Sequence, residues 1–537
     1  MKKIRFISIF MSAVLVLGAT GCSDWLTVKP ESQIILEEFW QSESDVQSVV
    51  NACYRGLTTD DCMYRMMVWG EIRSDNIILL RYNNDRDGIS KILTGELTST
   101  NPYAKWGPFY SVINYTNTIL KYAPDVVNRD KNFSPADLKK VQAETRAIRA
   151  LCYFYLIRSF KDVPWVDEAS IDDTQDYRPK TSEYRVVMDH IIDDLVFAKQ
   201  YIPADFGRTD FNKGRFTLTA VNALMADVYL WDQQYDKCVQ AADLVLANKN
   251  LELIGSKFNN FYQVFYRGQS TETILELQFD QSVQVNDPVN LLYGSQAEPI
   301  GELGFPLNLA FDPYSKDPSA VHSPFYFKPV TSPAMESEFD IRAKDSYISN
   351  GDVFFIFKYP GMKREDRVVN GRTMGLYGYR SETPNWILYR LADVILMKAE
   401  ALVQLGDSVS NQRAIELVNK TYLRSNTTSD GKTVADSLKL ENYKSKEELS
   451  RLVLRERHRE LLFEGKRWFD LVRWSRREGS TGTLNEYLTY KLTGSTFSLG
   501  APTLDAMYMP IAESELVANK NLVQNPYYKT AASSSQR

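Results

Sequence analysis

The chain has 537 residues, 44% of them hydrophobic and 24% charged, which is enough apolar material for one large core or several smaller ones and excludes a disordered or fibrous chain. Lys and Arg number 63 against 68 Asp and Glu, so the formal charge of -5 argues against a protein that grips nucleic acid by neutralising phosphates. Aromatic residues make up 12%, with 31 Tyr among them, a residue whose apolar face and hydroxyl suit half-wet binding surfaces.

Residues 1–21 read as a secretory signal. Lys2, Lys3 and Arg5 give a cationic start, residues 9–17 are apolar except for Ser12, and Gly18, Ala19, Thr20 and Gly21 lead into Cys22. The apolar run is too short to span a bilayer, and no later stretch offers the ~18 consecutive apolar residues of a transmembrane helix. A Cys directly after a small-residue cleavage site looks like a bacterial lipobox, with Ala19 where Leu is usual, so lipidation of Cys22 is expected; the alternative is an ordinary signal peptide with an incidental Cys. Cleavage takes the formal charge from -5 to -8, because Lys2, Lys3 and Arg5 leave and no acid does. The membrane anchor is then lipid and not charge, and residues 22–36 form its tether.

Residues 37–255 are predicted as a helical region. Residues 143–160 form one helix, and TLTAVNALMADVYLWDQQYDKCVQAADLVLAN (217–248) forms a hairpin in which Ala223, Ala226, Ala241 and Ala242 allow close helix contact. Cys53, Cys62, Cys152 and Cys238 show no C-x-x-C spacing and no His-rich context, so no metal site is expected. Burial as small hydrophobes is expected for Cys53, Cys152 and Cys238, and a Cys53–Cys62 disulfide stays open.

Between 256 and 385, Asn286-Asp287-Pro288, Asp312-Pro313, Ser323-Pro324 and Ser332-Pro333 interrupt every periodic run, which predicts short strands and long loops; residues 274–279 alternate as a strand. Residues 386–537 return to helix. WILYRLADVILMKAEALVQLG, from Trp386, spaces Leu388, Leu391, Ile395 and Leu402 as an amphipathic helix that stops at Gly406, and a second helix follows over 411–424. The predicted fold is mainly α: tetratricopeptide-like helix hairpins form a scaffold, and the irregular, loop-rich region at 256–385 carries ligand contacts.

Several segments resemble the SusD/RagB-like outer-membrane lipoproteins of Bacteroidetes nutrient-uptake systems. EEFWQSESDVQSVVNACYRGL looks like the first helix of that family, WGPFYSVINYTNTIL has its Trp, Tyr, Ile and Asn at the familiar spacing, and AETRAIRALCYFYLIRSFKDVPW resembles the helix that ends in an aromatic, a turn and Val-Pro, here with Lys161-Asp162 where Gly is common. The C-terminal blocks YRLADVILMKAEAL, RERHRELLFEGKRWFDLVRW and MPIAESELVANKNLVQNPYY follow in order, so the resemblance spans nearly the whole mature chain. It implies a surface-exposed, lipid-anchored binding protein that captures an oligosaccharide, or in some members a peptide, and passes it to a SusC-like TonB-dependent transporter. No cofactor is needed for capture, and no enzymatic activity is implied.

In that family, ligand contacts come largely from two regions, which fall here at about 75–88 and 289–326. Arg81, Tyr82, Asn83 and Asn84 combine an aromatic platform with hydrogen-bonding groups, against the reading of a solvated polar turn; Tyr293 and Phe305 are companion candidates, against local packing. Glu456, Glu460 and Glu464 recur every four residues, with Arg459, Arg467 and Arg473 close enough in sequence to neutralise them. A carboxylate pair for glycoside hydrolysis is the competing reading, which such Arg partners disfavour by lowering the acids' pKa values. His190, His322 and His458 are the only histidines and build no metal or catalytic motif, although His322 lies in the aromatic loop region. A surface hydrolase and a tetratricopeptide adaptor are the remaining function classes.

Overall fold

The computed structural model describes residues 39–80, 87–171, 175–255, 262–295, 301–306, 340–342, 346–350, 353–360, 362–369, 372–379, 383–427, 433, 436–489 and 500–529. Helices α1 (Glu43–Leu57) and α2 (Asp60–Met67) lead through a π-helical turn, Val68–Ile72, to the short strand β1 (Ile78–Leu79). Next come α3 (Asp87–Leu93), α4 (Gly107–Arg129), α5 (Pro135–Phe160), α6 (Tyr184–Tyr201), α7 (Thr209–Gly214), α8 (Leu218–Trp231) and α9 (Tyr235–Leu246). The middle of the chain holds β2 (Thr273–Leu277), α10 (Asp287–Tyr293), β3 (Leu303–Phe305), β4 (Tyr347–Asn350), β5 (Val353–Ile356), β6 (Met362–Val369), β7 (Arg372–Tyr379) and β8 (Trp386–Arg390). Helices α11 (Leu391–Leu405), α12 (Ser408–Ser425), α13 (Lys446–Leu461), α14 (Arg467–Glu478), α15 (Gly482–Thr489) and α16 (Glu513–Ala518) complete the chain. The protein is mainly helical, as expected.

Local chemistry sets where these helices start. Ser42 and Asp45 close a capping box on α1, and Ser134 with Asp137 does the same for α5, whose first residue is Pro135, so backbone N–H groups otherwise left without partners are satisfied. Helix α5 packs against α4 and α6 and is buried on every side over residues 147–160. A helix so placed must be apolar all round or must pair its charges. Arg149 therefore holds Asp194 through two bonds of 2.8 Å, and Glu144 accepts from Arg215 at 2.8 and 2.6 Å.

The hairpin α8–α9 packs through α9 on α11, which in turn meets α12 and α13, so helix pairs stack side by side as the hairpin reading anticipates. One boundary differs. WILYR is strand β8, and the helix begins only at Leu391; β8 pairs antiparallel with β2, placing Leu275 opposite Tyr389 and Leu277 opposite Trp386. The helix is also less amphipathic than its spacing suggests, because neighbours on several sides bury residues 391–404. Its stop at Gly406 is as expected, with φ of 82° satisfying a left-handed cap. All four described cysteines are free and buried, so the open Cys53–Cys62 disulfide is absent, and burial pushes the Cys62 thiol up to about 12.

Candidate functional site

The four-stranded antiparallel sheet, in the order β1-β3-β5-β4, brings together the two segments expected to carry ligand contacts. Ile78 lies opposite Gly304 and Leu79 opposite Leu303, and the Leu80 N–H donates to the Glu302 carbonyl at 2.9 Å. Gly304 has no room for a side chain, since a Cβ there would sit 2.6 Å from both the Leu80 side chain and the Phe354 carbonyl oxygen.

Upstream of β1 the chain is clamped by buried polar groups. Asp75 is held by Arg467 through bonds of 2.8 and 2.9 Å. Asn76 donates to Glu71 at 2.7 Å and meets the His458 ring at 2.5 Å. The Glu71 carboxylate also accepts from the backbone N–H groups of Phe463 and Gly465 at 3.2 and 3.0 Å. Burial nonetheless pushes Glu71 up to about 7, and burial together with the Arg467 charge drives His458 well below its usual range, so the ring is neutral. Residues 75–80 are thus a rigid root from which residue 81 follows directly. Arg81, Tyr82, Asn83 and Asn84 themselves lie outside the described residues, as do Cys22 and His322.

Tyr293 and Phe305 are core residues and not ligand platforms. Both are 0% exposed. The Tyr293 hydroxyl donates to the Phe463 carbonyl at 3.4 Å, and the Phe305 ring stacks on Tyr347 at 4.8 Å while meeting Phe463 edge-on at 5.6 Å. For Phe305 the cause is topological, since β3 lies between two strands and buries all three of its residues; Tyr293, at the end of α10, is buried by packing on Tyr359 and Phe463. Phe305→Leu should accordingly cost about 1–2 kcal/mol of folding stability through the cavity it leaves. A thermal melt reads that loss, and an unchanged melt would return Phe305 to the surface.

Glu456 and Glu460 of α13, with Glu464 just beyond its end, anchor a buried ion network. Arg459 does neutralise Glu456, at 2.9 and 2.6 Å, but the other partners come from far away in sequence. Glu460 is bound by Arg342 and Arg390 at 2.7 Å each and also by Arg424; Glu464 is bound by Arg390 at 2.7 Å and Lys358 at 2.6 Å. Arg467 instead pairs with Asp75, and Arg473 with Glu400 and Asp470. Burial opposes ionisation of Glu460, but the Arg424, Arg390 and Arg342 guanidiniums outweigh it and hold the carboxyl well below the usual range. With 0% exposure and a saturated hydrogen-bond shell, Glu460 has neither the access nor the proton that a general acid for glycoside hydrolysis requires.

A cleft of about 760 Å³, assembled from different elements, opens between the start of α4, the segment before α6 and helix α16. Trp106, Tyr110, Trp165, Tyr177, Glu168 and Glu515 are among its lining residues, none of which had been singled out as a ligand contact. Its sequence signal is weak because its lining is scattered over residues 106–117, 164–170, 175–179 and 515–522. Among the described residues no group of three or more His, Cys, Asp or Glu side chains is arranged to hold a metal ion, and no helix is long and apolar enough to cross a membrane.

Two family descriptions match the chain: "Starch-binding associating with outer membrane" over residues 24–230, and "SusD family" over residues 358–528. The chain is 27% identical to SusD-like protein P38 of Formosa agariphila over 98% of its own length and 100% of that protein. It is 23% identical to starch-binding protein SusD of Bacteroides thetaiotaomicron over 75% of each. Among solved structures, a SusD superfamily protein of Bacteroides vulgatus superposes with a TM-score of 0.67 at 20% identity, over 91% of this chain and 99% of that one. NanU of B. fragilis gives 0.66 at 20% identity, over 93% and 100%.

Proposed function

This chain belongs to the SusD/RagB family, and from that premise we propose that it is a cell-surface lipoprotein, anchored through Cys22, that binds an oligosaccharide and hands it to a SusC-like TonB-dependent outer-membrane transporter. The observation that carries the reading is the match of residues 24–230 to a starch-binding, outer-membrane-associated family on a helical scaffold whose small sheet joins residues 75–80 to residues 301–306. Sugar rings offer C–H faces to aromatic side chains, while their hydroxyls need partners to replace water. Tyr82 supplies the first kind of contact, and Arg81, Asn83 and Asn84 the second. Capture of this kind needs no cofactor and no bond cleavage, and the burial of Glu460 removes the carboxylate that the glycoside-hydrolysis reading singled out.

Tyr82→Ala, Arg81→Ala or Asn84→Ala should weaken oligosaccharide binding by about 1 kcal/mol or more each, with the thermal melt unchanged. Calorimetric titration reads this, and wild-type affinity in all three variants would remove the loop from the site. Delivery is tested by affinity isolation from outer membranes in mild detergent. A barrel transporter should co-purify, and recovery of the lone protein under every growth condition would contradict the partnership.

A further inference from the structure

We propose that the cleft between the start of α4, residues 164–171 and 175–179, and α16 is a second binding site, specific for a short oligosaccharide of uncharged sugars. The inference rests on the glycan-binding reading above and adds a site to it, one that shares no lining residue with residues 75–80 or 289–306.

The walls are organised in advance by side chains spent on the backbone. Asn117 donates to the Val166 and Glu168 carbonyls at 2.9 and 3.2 Å, and Asn114 accepts from the Ser170 N–H at 2.7 Å. Gln175 accepts from the Ile171 N–H at 2.8 Å and donates to the Ala169 carbonyl at 3.0 Å. From the opposite side, Asn519 donates to the Pro179 carbonyl at 2.8 Å and Asn521 to the Arg178 carbonyl at 2.7 Å. Residues 164–171 and 175–179 are therefore pinned to α4 at one end and to the C-terminal segment at the other, which reduces the ordering cost of binding. A volume of about 760 Å³ lies within the usual range for small-ligand sites.

The groups left over face outward. Tyr177 is 48% exposed at the cleft, a large aromatic ring kept in water whose hydroxyl donates to Gln175 at 3.2 Å. Trp165 is a wall and not a platform, because His190 stacks on it at 4.3 Å and Tyr153 also packs against it at 4.3 Å. Among the described residues the carboxylates of Glu168 and Glu515 have no hydrogen-bond or ion-pair partner, whereas Asp167 feels the Arg149 charge and Arg178 is paired with Asp176 at 3.1 Å. Free carboxylates accept bonds from sugar hydroxyls and repel uronates and sulfate esters. An aromatic platform beside unspent acceptors thus selects neutral sugars.

Hydrogen–deuterium exchange on the full chain reads each site separately. Maltoheptaose, cellohexaose and laminarihexaose serve as neutral probes, and hexagalacturonate as the acidic contrast. At least one neutral probe should slow exchange over 106–117, 164–179 and 513–522, and hexagalacturonate should not. Tyr177→Ala and the double variant Glu168→Gln with Glu515→Gln should each raise the concentration needed for that protection by about five- to tenfold. Protection over 75–88, which spans the contacts proposed for Arg81, Tyr82, Asn83 and Asn84, should be unchanged in both. Protection confined to 75–88, equal protection by the acidic probe, or protection indifferent to both variants would overturn the cleft while leaving glycan capture standing. No protection anywhere by any neutral probe would count against both.

Discussion

Replacing Glu460 by Gln lowers folding stability by about 3–5 kcal/mol, the usual consequence of removing one partner from a buried ion network. Glu460 is 0% exposed and binds three guanidiniums, those of Arg342, Arg390 and Arg424. These arise in the segment before β4, at the end of β8 and in α12, so the carboxylate joins parts of the chain that are distant in sequence. The neutral amide leaves their charge less compensated in a place water does not reach. The pH dependence has a definite sign. The folded carboxyl titrates well below an unfolded glutamate, whose pKa is about 4.3, so its stabilisation is complete above that value and is lost as pH falls through the folded pKa. Urea midpoints for wild type and Glu460→Gln should therefore lie far apart at pH 7 and draw closer below about pH 4. A gap that is small at neutral pH, or that widens on acidification, would mean the network does not hold the fold.

Replacing Cys22 by Ala should release the protein from the membrane fraction and remove the acyl mass from its N-terminal peptide. Cys22 is the proposed attachment point, and the charge of -8 expected after cleavage offers no attraction to anionic lipid. Loss of the lipid then leaves only protein contacts to retain the chain. Unchanged fractionation with an unchanged peptide mass would show that Cys22 carries no lipid, whereas protease access on intact cells checks surface display independently.

Much of the scaffold can be read from local pattern. Residues 217–248 announce a hairpin by their small residues and an intervening polar turn, and Gly406 marks a helix end because a left-handed cap favours glycine. Trp386–Arg390 escapes such reading because its apolar run continues unbroken into α11, and only pairing with β2, more than a hundred residues earlier, makes it a strand. The ion network is half legible. Glu456 finds Arg459 one turn away, but Glu460 and Glu464 are answered by Arg342, Lys358, Arg390 and Arg424, whose proximity is a product of the tertiary fold.

Tyr293 and Phe305 teach the same lesson for the site. Aromatic residues in a turn-rich stretch invite a surface reading, yet β3 sits between two strands and buries Phe305, while Tyr293 at the end of α10 packs on Tyr359 and Phe463. The cleft beside Tyr177 had no sequence motif at all, since its polar amides look like loop residues until their backbone partners are known.

The most direct test of the central claim is a glycan array with the purified full chain, followed by chromatographic analysis of the recovered sugar. Capture without chemistry predicts that at least one oligosaccharide class binds and is recovered intact after prolonged incubation. Shortened products made by wild type, or retention of no glycan on the array, would contradict it.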